Sequence, residues 1–269
     1  MTPQAPTIRR IVVGYDGSPA SVRASEWAAR RAGDRVPVTL LHARHAGVSG
    51  TPDPDEHAAM DDLTARLRAT GAQVSARVVA GSPPQVLAAQ VAPETLVVIG
   101  TRGHSGIPGL LAGSVAGAVA GAGNGPVVVV SDAPVPGGPV TVALGDDPTP
   151  APVRRAAVEA RASGRPLRVV HAWAIDPVRG VLPLAHERDQ RRRRLDDLLA
   201  GMADALTGLD VSVQVTQGDA AAVLLGEASA SELLVVGSRG RGAVAGALLG
   251  SVSRTVAASA ACPVMVVPG

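Results

Sequence analysis

The chain repeats itself, and that constrains its fold more than any other feature. Near residue 100 it reads Leu96-Val97-Val98-Ile99-Gly100-Thr101-Arg102-Gly103, and 137 positions on it reads Leu233-Leu234-Val235-Val236-Gly237-Ser238-Arg239-Gly240. The match runs on without a gap. Gly109, Leu111, Gly113, Ser114 and Val115 meet Gly246, Leu248, Gly250, Ser251 and Val252, and Pro126 with its Val run meets Pro263 and Val264-Met265-Val266-Val267. Earlier, Val38-Thr39-Leu40-Leu41-His42-Ala43 resembles Leu167-Arg168-Val169-Val170-His171-Ala172 at a shorter offset, which places an insertion in the second copy between Ala172 and Val211. A repeated unit of this size is a domain that has been duplicated. The copies run from about Ile8 to Ser131 and from about Pro139 to Pro268. That predicts domains over 1–132 and 139–269, joined by the Pro/Gly-rich stretch Asp132–Gly138.

Each copy alternates short β-branched runs with longer Ala-rich stretches. The predicted strands are 11–15, 38–42, 74–79, 95–99 and 127–130, then 140–144, 167–171, 211–216, 233–236 and 264–267. They are continuous apolar runs, as in a parallel sheet covered on both faces. Ser18-Pro19 and Thr149-Pro150 are matching helix starts, an N-cap residue followed by Pro at the first helical position. Repeated βα units predict an α/β fold of two doubly wound domains.

The chemistry concentrates in one spacing. Gly100-x2-Gly103-x9-Gly113-Ser114 recurs as Gly237-x2-Gly240-x9-Gly250-Ser251. Each begins where an apolar strand ends and stops where a helix should start. Glycines let a ligand approach the backbone, and a helix N-terminus offers free N–H groups and partial positive charge. The arrangement suits a phosphate chain, and turn and cap glycines are the plainer alternative. Upstream, the first predicted strand ends Val13-Gly14-Tyr15-Asp16. An acid there either accepts from ribose hydroxyls or a water-held metal, or forms an Asx turn into the next helix.

Composition removes several other chemistries. There is no lysine among 25 basic residues, which excludes a Walker A loop and Schiff-base catalysis. The single cysteine, Cys262, excludes a disulfide framework and fits a reducing compartment. A net charge of +2 and the near absence of aromatics argue against nucleic acid as a partner. The segment Gly103–Ser131 carries no formal charge, but Pro108, Asn124 and Pro126 break it into loop, helix and strand rather than a membrane span. No signal peptide precedes the first strand, so a cytoplasmic location is expected.

With these motifs in place, the chain resembles the universal stress protein family in its tandem two-domain form, over almost its whole length. The resemblance implies two five-stranded parallel sheets with strand order 3-2-1-4-5. It also implies ATP, with or without magnesium, as the bound cofactor. In the first domain the phosphates fall to Gly100, Gly103, Gly113 and Ser114, with Val115 beside them. Gly14 and Asp16 fall near the adenosine, the backbone of Ala43 near the adenine, and Ile99 on the pocket wall. The matching set in the second domain is Ala172, Val236, Gly237, Gly240, Gly250, Ser251 and Val252. Gly145 stands at the Asp16 position there, and Asp146 replaces it only if the turn slips by one residue. The family's edge-strand pairing implies that the Val-rich last strands join the two domains, and a homodimer of whole chains is expected.

The resemblance further implies a stress-response regulator in which bound ATP is a signal and no residue is catalytic. A nucleotide-free scaffold and a slow ATP hydrolase are the alternatives. Four further features have plainer readings. The run Arg191–Arg194, with acidic residues four positions away and an apolar stripe of Leu195, Leu198, Leu199, Met202 and Leu206, reads as a solvated amphipathic helix. His42 and His171 read as packed. His104 reads as a surface residue, with reach to a phosphate as the alternative. Arg102 and Arg239 either pair with phosphates or are solvated. The helix Val115–Gly125 is unusually rich in Gly, so it either frays or gains by close packing against another backbone.

Overall fold

The computed structural model describes residues 5–44, 54–101, 114–122, 124–131, 137–174, 184–238 and 249–268. The first repeat folds as β1 (Arg10–Gly14), α1 (Pro19–Ala32), β2 (Val38–Arg44), α2 (Pro54–Ala69), β3 (Val74–Ala80), α3 (Pro83–Ala88), β4 (Thr95–Gly100), α4 (Ser114–Gly121) and β5 (Val127–Val130). The second gives β6 (Val140–Leu144), α5 (Pro150–Ser163), β7 (Leu167–Trp173), α6 (Leu184–Ala200), α7 (Ala203–Leu206), β8 (Val211–Gln217), α8 (Ala220–Ala228), β9 (Leu233–Gly237), α9 (Ser251–Ser259) and β10 (Val264–Val267).

The predicted strands form, and the strand orders are β3-β2-β1-β4-β5 and β8-β7-β6-β9-β10, parallel within each half. The halves are not separate sheets. β5 and β10 pair antiparallel, with Val129 opposite Val264, Val128 opposite Met265 and Val127 opposite Val266, so ten strands make one sheet. This is the expected internal pairing of domains, and it leaves neither Val-rich strand as an exposed edge.

Side chains alternate across this sheet. Ile11, Val13, Leu40, Val98, Val142, Val169 and Val235 join one core with α1, α2, α5 and α6. Val12, Leu41, Val97, Ile99, Val170, Leu234 and Val236 join another with α3, α4, α8 and α9. The alternation carries straight through the junction. Val128 and Met265 lie in the first core, and Val129 and Val264 in the second. Both repeats therefore place equivalent helices on the same face. Only the outermost strands, β3 and β8, are half-exposed along their length.

Local chemistry sets the helix ends. The Ser18 Oγ accepts from the Ser21 N–H at 3.2 Å, Pro19 follows it, and Gly33 at φ 56° ends α1. Thr149 and Pro150 start α5, and Gly164 at φ 66° closes it. Two sequence expectations are corrected. The glycine-rich helix stops at Gly121, short of Gly125, whose added Cβ would meet the Ala92 carbonyl oxygen at 2.1 Å. The stripe from Leu195 to Leu206 is two helices, broken between Ala200 and Ala203 at Gly201-Met202.

Candidate functional site

In both halves the strand order reverses beside the first strand of the repeat, between β1 and β4 and between β6 and β9. Ligands of open α/β sheets bind in the crevice outside the carboxyl ends of strands at such a point. In the first half Val13 pairs with Val98, so Gly14 and Ile99 emerge side by side. A Cβ on Gly14 would sit 3.1 Å from Ile99 Cγ2 and 2.8 Å from Leu87 Cδ1, so the missing side chain is what lets α3 and β4 close beneath the crevice. A Cβ on Gly100 would lie 2.7 Å from the Ala20 Cβ and 2.8 Å from its carbonyl carbon. The first turn of α1 thus rests on Gly100.

Asp16 is positioned by the turn that follows β1. Its Oδ1 accepts from the Ser18 N–H at 3.0 Å and from the Ser18 hydroxyl at 2.6 Å, and its own N–H donates to the Ser21 Oγ at 3.4 Å. Gly17, at φ 78°, completes the turn. This is the Asx turn that the sequence allowed, and it fixes the carboxylate at the mouth of the crevice, half-buried. Ala43 is half-buried on β2, beside buried His42, whose Nδ1 donates to the Tyr15 carbonyl at 2.9 Å.

The motif's two ends are brought to the same rim. Gly100 ends β4 and Ser114 opens α4. Gly237 ends β9 and Ser251 opens α9. In the second half the closure is explicit. The Gly250 N–H donates to the Ser238 carbonyl at 2.9 Å, and the Ser253 hydroxyl donates to the Gly237 carbonyl at 2.7 Å. The first turn of α9 is thereby pinned to the end of β9, with Ser251 exposed and Val252 half-buried. Val236, like Ile99, is buried in the core beneath. Gly103, Gly113, Gly240, Arg102, His104 and Arg239 lie outside the described residues, as do the side chain of Ser114 and the role of Val115 toward it.

The second crevice differs from the first at the ends of β6 and β7. His171 repeats its counterpart, with Nδ1 donating to the Leu144 carbonyl at 2.9 Å. Asp146 Oδ1 lies 3.7 Å from His171 Nε2 and 3.9 Å from Arg191 Nε. The Arg191 guanidinium lies 4.6 Å above the ring of Trp173, which is the last residue of β7. Arg191 also pairs with Glu187 one turn back. Arg191 is therefore not on the solvated face that the charge pattern suggested, although Arg192 is, paired with Asp196 at 2.9 Å. Sequence reasoning missed Trp173 and Arg191. The available signal was Trp173 two places after His171, on the same side of a strand. Among the described residues no group of three or more His, Cys, Asp or Glu could hold a metal ion, and no helix is long and apolar enough to cross a membrane.

Comparison with known proteins agrees with this architecture. The model of the universal stress protein family matches residues 7–131 and again 138–268. A universal stress protein of Mycolicibacterium smegmatis is 32% identical over 289 residues, covering 98% of each chain. One of Mycobacterium tuberculosis is 32% identical, covering 95% of this chain and 94% of its own. Among solved structures, a protein of unknown function from Pseudomonas aeruginosa superposes with a TM-score of 0.68 at 18% identity, over 97% of this chain and 92% of its own. A universal stress protein from Archaeoglobus fulgidus does so with a TM-score of 0.67 at 20% identity, over 96% and 95%. Two copies of the domain in one continuous sheet, each matched by the family model, make this chain a member of the universal stress protein family.

Proposed function

We propose that the chain binds ATP in the crevice of its first domain and that the bound nucleotide reports a cellular state to the stress response. The observation that carries this reading is where the glycine motif sits. Its first glycine ends the strand at the switch point, and its serine opens a helix of eight residues whose N-terminus points at the same rim. Free N–H groups and the helix dipole there favour a phosphate. Asp16, held at the mouth by its own turn, would lie near the ribose, and the Ala43 backbone near the adenine. Magnesium would ride on the phosphates.

The chain has no lysine and no base–nucleophile pair in the motif, so the nucleotide is retained rather than rapidly turned over. Dimerisation of whole chains and a cytoplasmic location belong to the same reading. The test is direct. Protein purified from cells is denatured and the released nucleotide is identified by chromatography. ATP is expected in the native protein and is expected to be lost in Gly113→Glu, which puts a carboxylate where phosphate would lie. A protein that carries no nucleotide, and takes up none at millimolar ATP, overturns the reading.

A further inference from the structure

We propose that this chain takes one nucleotide rather than two, because α6 of the second domain fills the adenosine half of its own crevice through Arg191. The inference rests on the ATP reading of the first domain. It uses only the asymmetry between the two repeats.

The two crevices are built from equivalent strands, so their differences stand out. Residue by residue, Asp16 is replaced by Gly145 and Arg44 by Trp173, while the histidine between them is kept. In the first half the acid turns back to Ser18, whose N–H and hydroxyl both donate to it. In the second half the acid has moved on one residue, to Asp146, and turns toward β7 instead, facing His171 Nε2 and Arg191 Nε. Trp173 provides a flat apolar wall just past Ala172, the residue whose backbone would meet the adenine. The Arg191 guanidinium sits over that wall, 4.6 Å from the ring centre, in the place a ring would stack.

Arg191 stands on α6 (Leu184–Ala200), the second repeat's counterpart of α2, which anchors through Leu195, 2% exposed, in the core beneath; most of the residues inserted in this repeat follow α6, between Ala200 and Val211. What remains among Gly145, Asp146, Pro148, His171, Arg191, Arg194 and Leu195 is a cavity of about 10 Å³. That is room for about one water, against the several hundred Å³ that a small-molecule site requires. Arg191 Nε, Trp173 Nε1 and His171 Nε2 are buried without a hydrogen-bond partner. Stacking on Trp173, the Arg191 Nη1 bond to Glu187 and the packing of Leu195 hold the plug, and removing Arg191 should release it.

The experiment is native mass spectrometry and titration calorimetry on the full chain, stripped of nucleotide and then given ATP. One ATP per chain is expected, lost in Gly113→Glu and kept in Gly250→Glu. In Arg191→Ala the count is expected to rise to two at millimolar ATP. A second readout avoids the crevice mutation. In Trp27→Phe, Trp173 is the only tryptophan, and its emission is expected to stay constant as ATP saturates the first site. Two nucleotides on the unaltered chain, or a single one that survives Gly113→Glu and is lost in Gly250→Glu, overturns this inference and leaves ATP binding standing. An Arg191→Ala protein that stays at one, or a Trp173 signal that titrates with ATP, overturns the assignment of the block to Arg191. No binding at all overturns the ATP reading and this inference together.

Discussion

Gly100 is the first residue of a motif that reads as a phosphate loop, yet its closest neighbour in the fold is Ala20. Adding a methyl group would press on the Ala20 Cβ and its backbone carbon at 2.7 and 2.8 Å. Backbone cannot swing aside as a flexible side chain can, so Gly100→Ala is expected to cost about 1–3 kcal/mol in urea unfolding, whatever it does to ligand binding. At Gly14 the nearest obstacle is the tip of Leu87, which can rotate away, so Gly14→Ala is expected to cost less.

Cys262 is fully buried, and burial pushes its thiol up to about 12, with backbone hydrogen bonding opposing. The thiol should resist alkylation in the folded protein and react on denaturation. Because the folded thiol holds its proton to a higher pH than the unfolded one, its contribution to stability is complete below about pH 9. It is lost progressively from there up to about 12. Cys262→Ala should flatten that part of the stability–pH curve.

Among the elements, α4 departs furthest from good helix chemistry, with Gly117 in its interior and Gly121 at its end. A Cβ on Gly117 meets nothing within 4 Å. Gly117→Ala is therefore expected to stabilise the protein by about 0.5–1 kcal/mol, read from the urea midpoint. The opposite sign is expected at the start of α8, where Asp219 Oδ1 accepts from the Ala222 N–H at 2.9 Å. Asp219→Ala removes that cap and should cost about 1 kcal/mol. Both helices pack on the same face of the sheet and belong to matching repeats, yet one is tuned by its interior and the other by its cap.

At the scale of the molecule, the two repeats are joined by more than the β5–β10 ladder. Arg155 on α5 is 3% exposed and donates to the Pro6 carbonyl at 2.6 Å, ahead of the first strand. Glu159, one turn on and equally buried, pairs with Arg31 at the end of α1. Burial pushes the Arg155 guanidinium below its usual range, and Glu159 opposes that shift. Removing one partner of a buried pair leaves a charge uncompensated, so Glu159→Ala is expected to cost about 3–5 kcal/mol. If the sheet and this cluster make the repeats one cooperative unit, the native chain unfolds in a single calorimetric transition. Val128→Asp, which buries a carboxylate opposite Met265, should split it in two or abolish folding.

The sequence by itself determined the duplication, the ten strands and the place of each glycine motif between the end of a strand and the start of a helix. Each follows from local chemistry: apolar runs such as Val127–Val130 have one way to be buried, and Pro after Ser18 or Thr149 has one place in a helix. It left Asp16 open between turn and ligand contact, because both use the same carboxylate at the same spot. Only the tertiary structure decided that α1 rests on Gly100 and that Arg191 leaves the solvated face of its helix for the ring of Trp173. Those contacts join residues far apart in the chain. Local spacing carries no information about which surfaces meet once the helices are laid on the sheet.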